Sequence, residues 1–140
     1  MLWMTSGNYG HYVSVFEQDV GADGQARSIQ VFDPYGDVEP DGWGEKMEPS
    51  LKRSLRQDAP WLLRAIDSAG YSRVFYNEYP LQRRAPEICT CGRWSLLRLA
   101  NAALSVEKFA TEVLDACERR RVSPDVLVVL MTQPLLAERA

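Results

Sequence analysis

The chain has 140 residues, 46% of them hydrophobic, and a net charge of −3. That length suits one domain, able to bury roughly 68–70% of its unfolded surface, and the acidic balance argues against a dedicated nucleic-acid binder. No apolar run approaches the ~20 residues of a membrane span, and the start, Met1-Leu2-Trp3-Met4-Thr5, lacks the basic and long apolar regions of a signal peptide, so an intracellular location is expected.

The first third reads as sheet. Residues 9–16 run Y-G-H-Y-V-S-V-F, rich in β-branched and aromatic types, and His11, the single histidine, shares one strand face with Val13 and Val15. Residues 21–25 (G-A-D-G-Q) supply turn chemistry. A second strand follows over residues 27–33, stopped by Pro34-Tyr35-Gly36 because proline cannot continue a ladder. The two strands form a hairpin that can set His11 beside Asp33. Residues 37–48 are a loop by composition.

Helices are expected over residues 49–57 and 58–69, the second with Asp58 as cap, Pro60 in its first turn and Gly70 closing it. Residues 72–77 (S-R-V-F-Y-N) read as a short strand and 78–90 as a loop. A helix from about Cys91 to Leu104 then places Trp94, Leu97, Ala100 and Leu104 on one stripe. Ser105 opens a further helix to about Arg121, and Ser123-Pro124-Asp125 starts a last one through Leu130, although V-L-V-V-L also fits a buried strand. Strands early and helices late give an α+β fold in a single domain over residues 1–140.

Three cysteines, Cys89, Cys91 and Cys117, are an odd number and a poor disulfide framework, so at least one thiol is free to do chemistry. A thiol hydrolase needs a sulfur held as thiolate, which a helix N-terminus and an imidazolium both favour. It needs a base oriented by a third group, and preorganised donors for an oxyanion. Cys91-Gly92 stands at a helix start, and Gly92 would let the backbone turn sharply and approach a substrate closely. His11 and Asp33 lie on paired strands, and Gln82 sits on the loop leading to Cys91. A metal site from the cysteines and His11 is disfavoured, because C-x-C does not match zinc-ligand spacing; no cofactor is expected.

The strings G-H-Y-V-S-V-F, V-F-D-P-Y-G, Y-N-E-Y-P-L-Q and T-C-G-R-W-S-L-L-R-L, in that order, resemble the adenain-like and SUMO-deconjugating cysteine proteases. The likeness is strongest to the short, divergent members encoded by viruses and virus-like mobile elements. It implies a papain-like fold with a small antiparallel-rich sheet flanked by helices and the nucleophile at the N-terminus of a central helix. It implies His11 as general base, Asp33 as its orienting carboxylate, Gln82 as oxyanion donor and Cys91 as nucleophile. Tyr12, Gly92 and Trp94, with Trp43, are candidate substrate-binding positions.

The chain departs from the family pattern in a longer Gln-to-Cys interval, in Tyr12 where Trp is more common, and in having little before His11. The interval alone would favour Cys89 as nucleophile, but only Cys91 is followed by Gly92 and a helix. The short lead suggests a minimal core, a piece of a longer chain or a site completed by a partner. The expected activity is endopeptidase processing of viral structural precursors, with capsid precursors as substrates, an activating peptide or partner protein as a further partner, and residence in host cytoplasm, nucleus or virion. The alternatives are a deconjugase of ubiquitin-like modifiers and a catalytically silent binding protein.

Overall fold

The computed structural model describes residues 2–4, 10–18, 27–36, 61–83, 85 and 87–137. The helix expected over 49–57, the turn at 21–25, Trp43, Asp58 and Pro60 lie outside these residues. Chain order is β1 (Leu2–Met4), β2 (Gly10–Tyr12), β3 (Ser14–Gln18), β4 (Ser28–Phe32), α1 (Trp61–Ser68), β5 (Arg73–Tyr76), α2 (Cys91–Ala100), α3 (Val106–Arg120) and α4 (Pro124–Ala137). The fold is α+β, with a small mixed sheet and helices. None of its helices is long and apolar enough to cross a membrane, among the described residues.

The strand expected over 9–16 is broken at Val13 into two. β2 pairs antiparallel with β1, placing Trp3 opposite His11. β3 pairs antiparallel with β4 in the register Ser14↔Phe32 to Gln18↔Ser28. Continued past Val13, that register sets residue 11 opposite residue 35, so the hairpin aims His11 at the turn following β4. β5 joins the far edge of β4 in parallel, so the three-stranded sheet is mixed where an antiparallel-rich one was expected. All five residues of β4 are buried, as the central strand of a sheet covered on both faces requires.

Alternation along β4 divides the core. Ile29 and Val31 pack with Ile66 of α1, and Phe32 packs with Trp94, Leu97, Phe109, Val113, Leu127 and Val128 from the three C-terminal helices. The V-L-V-V-L segment is helical, because Leu127, Val128 and Thr132 are buried while Val126, Leu130 and Met131 are exposed, a spacing only a helix produces. Ser105 caps α3 as expected, its hydroxyl accepting from the Lys108 N–H at 3.2 Å.

α2 ends at Ala100, four residues before the expected Leu104. Asn101 stops it: its side-chain amide donates to Leu97 O at 2.8 Å, and its backbone N–H turns back to Arg98 O and Leu99 O. The buried face is accordingly Cys91, Trp94, Ser95, Leu97 and Arg98. Ala100, expected on the stripe, is exposed.

Candidate active site

The turn after β4 carries the carboxylate. In D-P-Y-G the Tyr35 N–H donates to Asp33 Oδ1 at 2.9 Å and the Gly36 N–H to Asp33 O at 3.0 Å. Gly36 has φ +74°, and a Cβ there would stand 2.7 Å from Pro80 N, so both conformation and space demand glycine. Asn77, fully buried at the end of β5, donates to Asp33 O at 2.6 Å and Tyr79 O at 2.9 Å. Its Oδ1 accepts the Tyr79 N–H at 3.0 Å. Asn77 thereby clamps the 77–80 loop onto the turn that holds the carboxylate.

His11 lies against this turn. Its Nε2 is 2.9 Å from Asp33 Oδ1, both residues are buried, and its ring stacks on Tyr35 with centroids 4.6 Å apart and planes 3° from parallel. With Nε2 on the carboxylate, Nδ1 is left for Cys91, whose thiol hydrogen-bonds the imidazole. Burial by itself pushes the imidazolium down; the bonds to Asp33 and Cys91 and their charges outweigh it and raise the pKa to about 9.

Cys91 is the first residue of α2, following Thr90. Burial pushes its thiol up, but the His11 bond and backbone bonds from Tyr12 and Gly92 bring the pKa below the ordinary thiol value. The helix N-terminus adds a favourable field for an anion. The arrangement favours a thiolate–imidazolium pair. Cys89 is exposed and Cys117 is buried in the core, where burial raises its pKa.

The other expected positions separate. Tyr12 is 43% exposed and its ring lies over Gly92, 3.4 Å from where a Cβ would sit, so both border Cys91. Gly92 is helical and makes no sharp turn, contrary to expectation, and a Cβ there would meet the Tyr12 ring in ordinary van der Waals contact. Trp94 has no exposed surface and sits at the centre of the core. One turn on from Cys91, its position faces into the protein, so it is a core residue rather than a cleft wall.

Gln82 joins the cluster through Tyr35. It is buried, and its side-chain amide donates to Ile88 O at 3.2 Å, with the Tyr35 hydroxyl at 3.4 Å. The long Gln-to-Cys interval is taken up by a turn in which the Ile88 N–H reaches Ala85 O at 3.0 Å. A single carboxylate ties the two ends of this interval. Asp125, in the first turn of α4, accepts the Arg83 N–H on Oδ2 at 3.1 Å and the Thr90 hydroxyl on Oδ1 at 2.5 Å.

Tyr35, Asn77 and Asp125 are the residues sequence reasoning missed. The D-P-Y-G string offered a signal for Tyr35, since a turn residue two past the carboxylate faces back toward it. Nothing local distinguishes Asn77 or Asp125.

No protein-family model and no solved structure matches this chain. Over 132 residues it is 32% identical to "Uncharacterized protein V9" of Sputnik virophage, a match covering 94% of this chain and 71% of that protein. The chain therefore belongs to the family of the virophage protein V9.

Proposed function

We propose that the protein is a thiol protease of the adenain-like type that processes viral structural precursor proteins. One observation carries the reading: a buried histidine bridges a carboxylate and a thiol at the first residue of a helix, with its pKa raised to about 9 and that of the thiol lowered. A histidine merely satisfied within a core has no use for a thiol of lowered pKa; paired perturbations of this kind mark reactive sites. The viral source of the related V9 protein fits a role in virion maturation.

The Cys91 thiolate attacks the scissile carbonyl, forming a C–S bond as the carbonyl π electrons move to oxygen. The backbone N–H of Cys91, among those a helix leaves unpaired in its first turn, and the Gln82 amide hold the oxyanion. The longer of the two Gln82 contacts, at 3.4 Å to Tyr35, is the one an oxyanion would replace. Protonated His11 passes its proton to the leaving amine as the C–N bond breaks. His11 then takes a proton from water, which attacks the thioester and releases the acid and the thiol group.

The test is alkylation of Cys91 by iodoacetamide at pH 7, read against Cys89, together with hydrolysis of capsid-type precursor peptides and of ubiquitin-like reporters. Selective Cys91 labelling that disappears in His11→Ala, with cleavage of the precursor peptides, is expected. Labelling indifferent to His11 would overturn the reading, and cleavage confined to ubiquitin-like reporters would make the protein a deconjugase. Gln82→Ala should lower turnover on the order of 100–1,000-fold with the fold intact; undiminished turnover would remove Gln82 from its role.

A further inference from the structure

The Gln82 side chain is oriented by its two N–H contacts alone. Its Oε1 is buried and accepts no hydrogen bond among the described residues, while Nε2 donates to Ile88 O at 3.2 Å and to the Tyr35 hydroxyl at 3.4 Å. A backbone carbonyl can only accept, so Ile88 fixes which way round the amide stands and takes one N–H. The second N–H is directed by Tyr35. At 3.4 Å that contact is longer than the ~2.9–3.0 Å usual for N–H···O. It is close enough to aim the N–H and loose enough to be given up to an anion, whose bonds are roughly twice as strong.

Tyr35 is itself held at two other points. Its backbone N–H donates to Asp33 Oδ1 at 2.9 Å, and its ring stacks on His11 with planes 3° from parallel. The bonded backbone and the stacked ring leave the two side-chain torsions little room, so the hydroxyl stands at a fixed point. Tyr35 thus touches Asp33, His11 and Gln82, each with a different group. Phenylalanine would serve the first two contacts equally well. The third needs the hydroxyl.

We propose that Tyr35 is a positioning residue of the reaction: its hydroxyl keeps the second N–H of Gln82 directed at the place where the oxyanion forms, and yields that N–H to the substrate oxygen as the C–S bond is made. The inference rests on the thiol-protease reading and on the part of Gln82 in it, and adds the group that aims the donor.

The experiment compares Tyr35→Phe with the parent, alone and in a Gln82→Ala background. Alone, it should lower kcat on capsid-type precursor peptides about tenfold with KM nearly unchanged. The iodoacetamide rate of Cys91 should stay at the parent value, because alkylation forms no oxyanion. The NMR titration of His11, the single histidine, should also match the parent, because the stacked ring is kept. The side-chain amide signals of Gln82, identified by their loss in Gln82→Ala, should move. In the Gln82→Ala background the same change should cost nothing further, since residues acting as a unit do not add. A parental kcat, unmoved Gln82 signals, or an equal loss in both backgrounds overturns the proposal while the thiol reading stands. Absence of selective Cys91 alkylation and of cleavage in the parent protein overturns the thiol reading, and this proposal with it.

Discussion

The two ends of α2 hold charge of opposite sign in opposite ways. At its N-terminus Cys91 and His11 each favour the charged form of the other, the His11 pKa raised to about 9 and that of the thiol lowered. At its C-terminal end Arg98, with no exposed surface, donates to Asn101 O at 2.6 Å and Leu104 O at 2.8 Å. Its guanidinium lies over the rings of Phe16 at 4.7 Å and Phe109 at 5.3 Å. Both charges have the sign the helix dipole favours at their end. Burial lowers the Arg98 pKa, but from so high a starting value that the group stays charged. A titratable pair can exchange a proton with a substrate; a permanent cation held by two carbonyls and two ring faces can only hold a helix end in place.

Breaking each end separately should give different outcomes. The largest effect is expected from Cys91→Ala, which removes the proposed nucleophile and should lower peptide hydrolysis by at least about 10⁴-fold while the thermal unfolding midpoint moves little. Measurable turnover in that variant would place the chemistry elsewhere. Arg98→Ala should instead destabilise the fold by about 3 kcal/mol, since it opens a cavity and strands two carbonyls. The denaturant midpoint reads this, and the pH profile of Cys91 alkylation in the folded variant should match the parent's.

The pH dependence sharpens the same contrast. His11 has its pKa raised above its ordinary 6.5, so its charged form stabilises the fold fully below that value, and the contribution is lost as pH rises through about 9. Cys91 has its pKa lowered, so its thiolate contributes above the ordinary thiol range and the contribution is lost as pH falls through the lowered value. On the proposed mechanism hydrolysis should hold a plateau near neutrality and fall about tenfold per unit well above pH 9, as the imidazolium loses the proton it would give to the leaving group. A rate still climbing at pH 10 would contradict the paired titration.

The smallest effect is expected at the tie between Arg83 and Thr90, the neighbours of Gln82 and Cys91. Asp125→Ala frees both Arg83 N–H and Thr90 and should lower kcat about tenfold with KM nearly unchanged, a misplacement of donors rather than a loss of binding. Asp125→Asn keeps one acceptor oxygen for Thr90 and should recover part of the rate. Equal losses in kcat and stability for both variants, with no such recovery, would make Asp125 a purely structural residue.

Much of this was legible in the chain because it is local. The alternating run around His11, the proline ending β4, the serine opening α3 and the glycine after α1 all act within a few residues, and each element lies close to where these signals put it. The hairpin register then follows from two strands and carries His11 to the turn holding Asp33. What escaped was long-range. The break at Val13 depends on β1 competing for the first half of the strand, and the early end of α2 depends on Asn101 and Arg98 meeting the carbonyls there. Trp94 reads first as a core residue on the helix stripe and second as a cleft wall, and three helices close around it in the core.

By itself, then, the sequence determined which groups were available to react: one histidine, a carboxylate after a strand and a cysteine at a helix start, because residue type and local backbone preference decide those. Only the tertiary structure decided that they meet. It set Asn77 under the Asp33 turn, brought Asp125 across from α4 to tie Arg83 to Thr90, the neighbours of Gln82 and Cys91, and buried the histidine deeply enough for its two partners to govern its proton. Burial and distance between residues 22 to 80 positions apart are properties of the packed chain, and no local pattern encodes them.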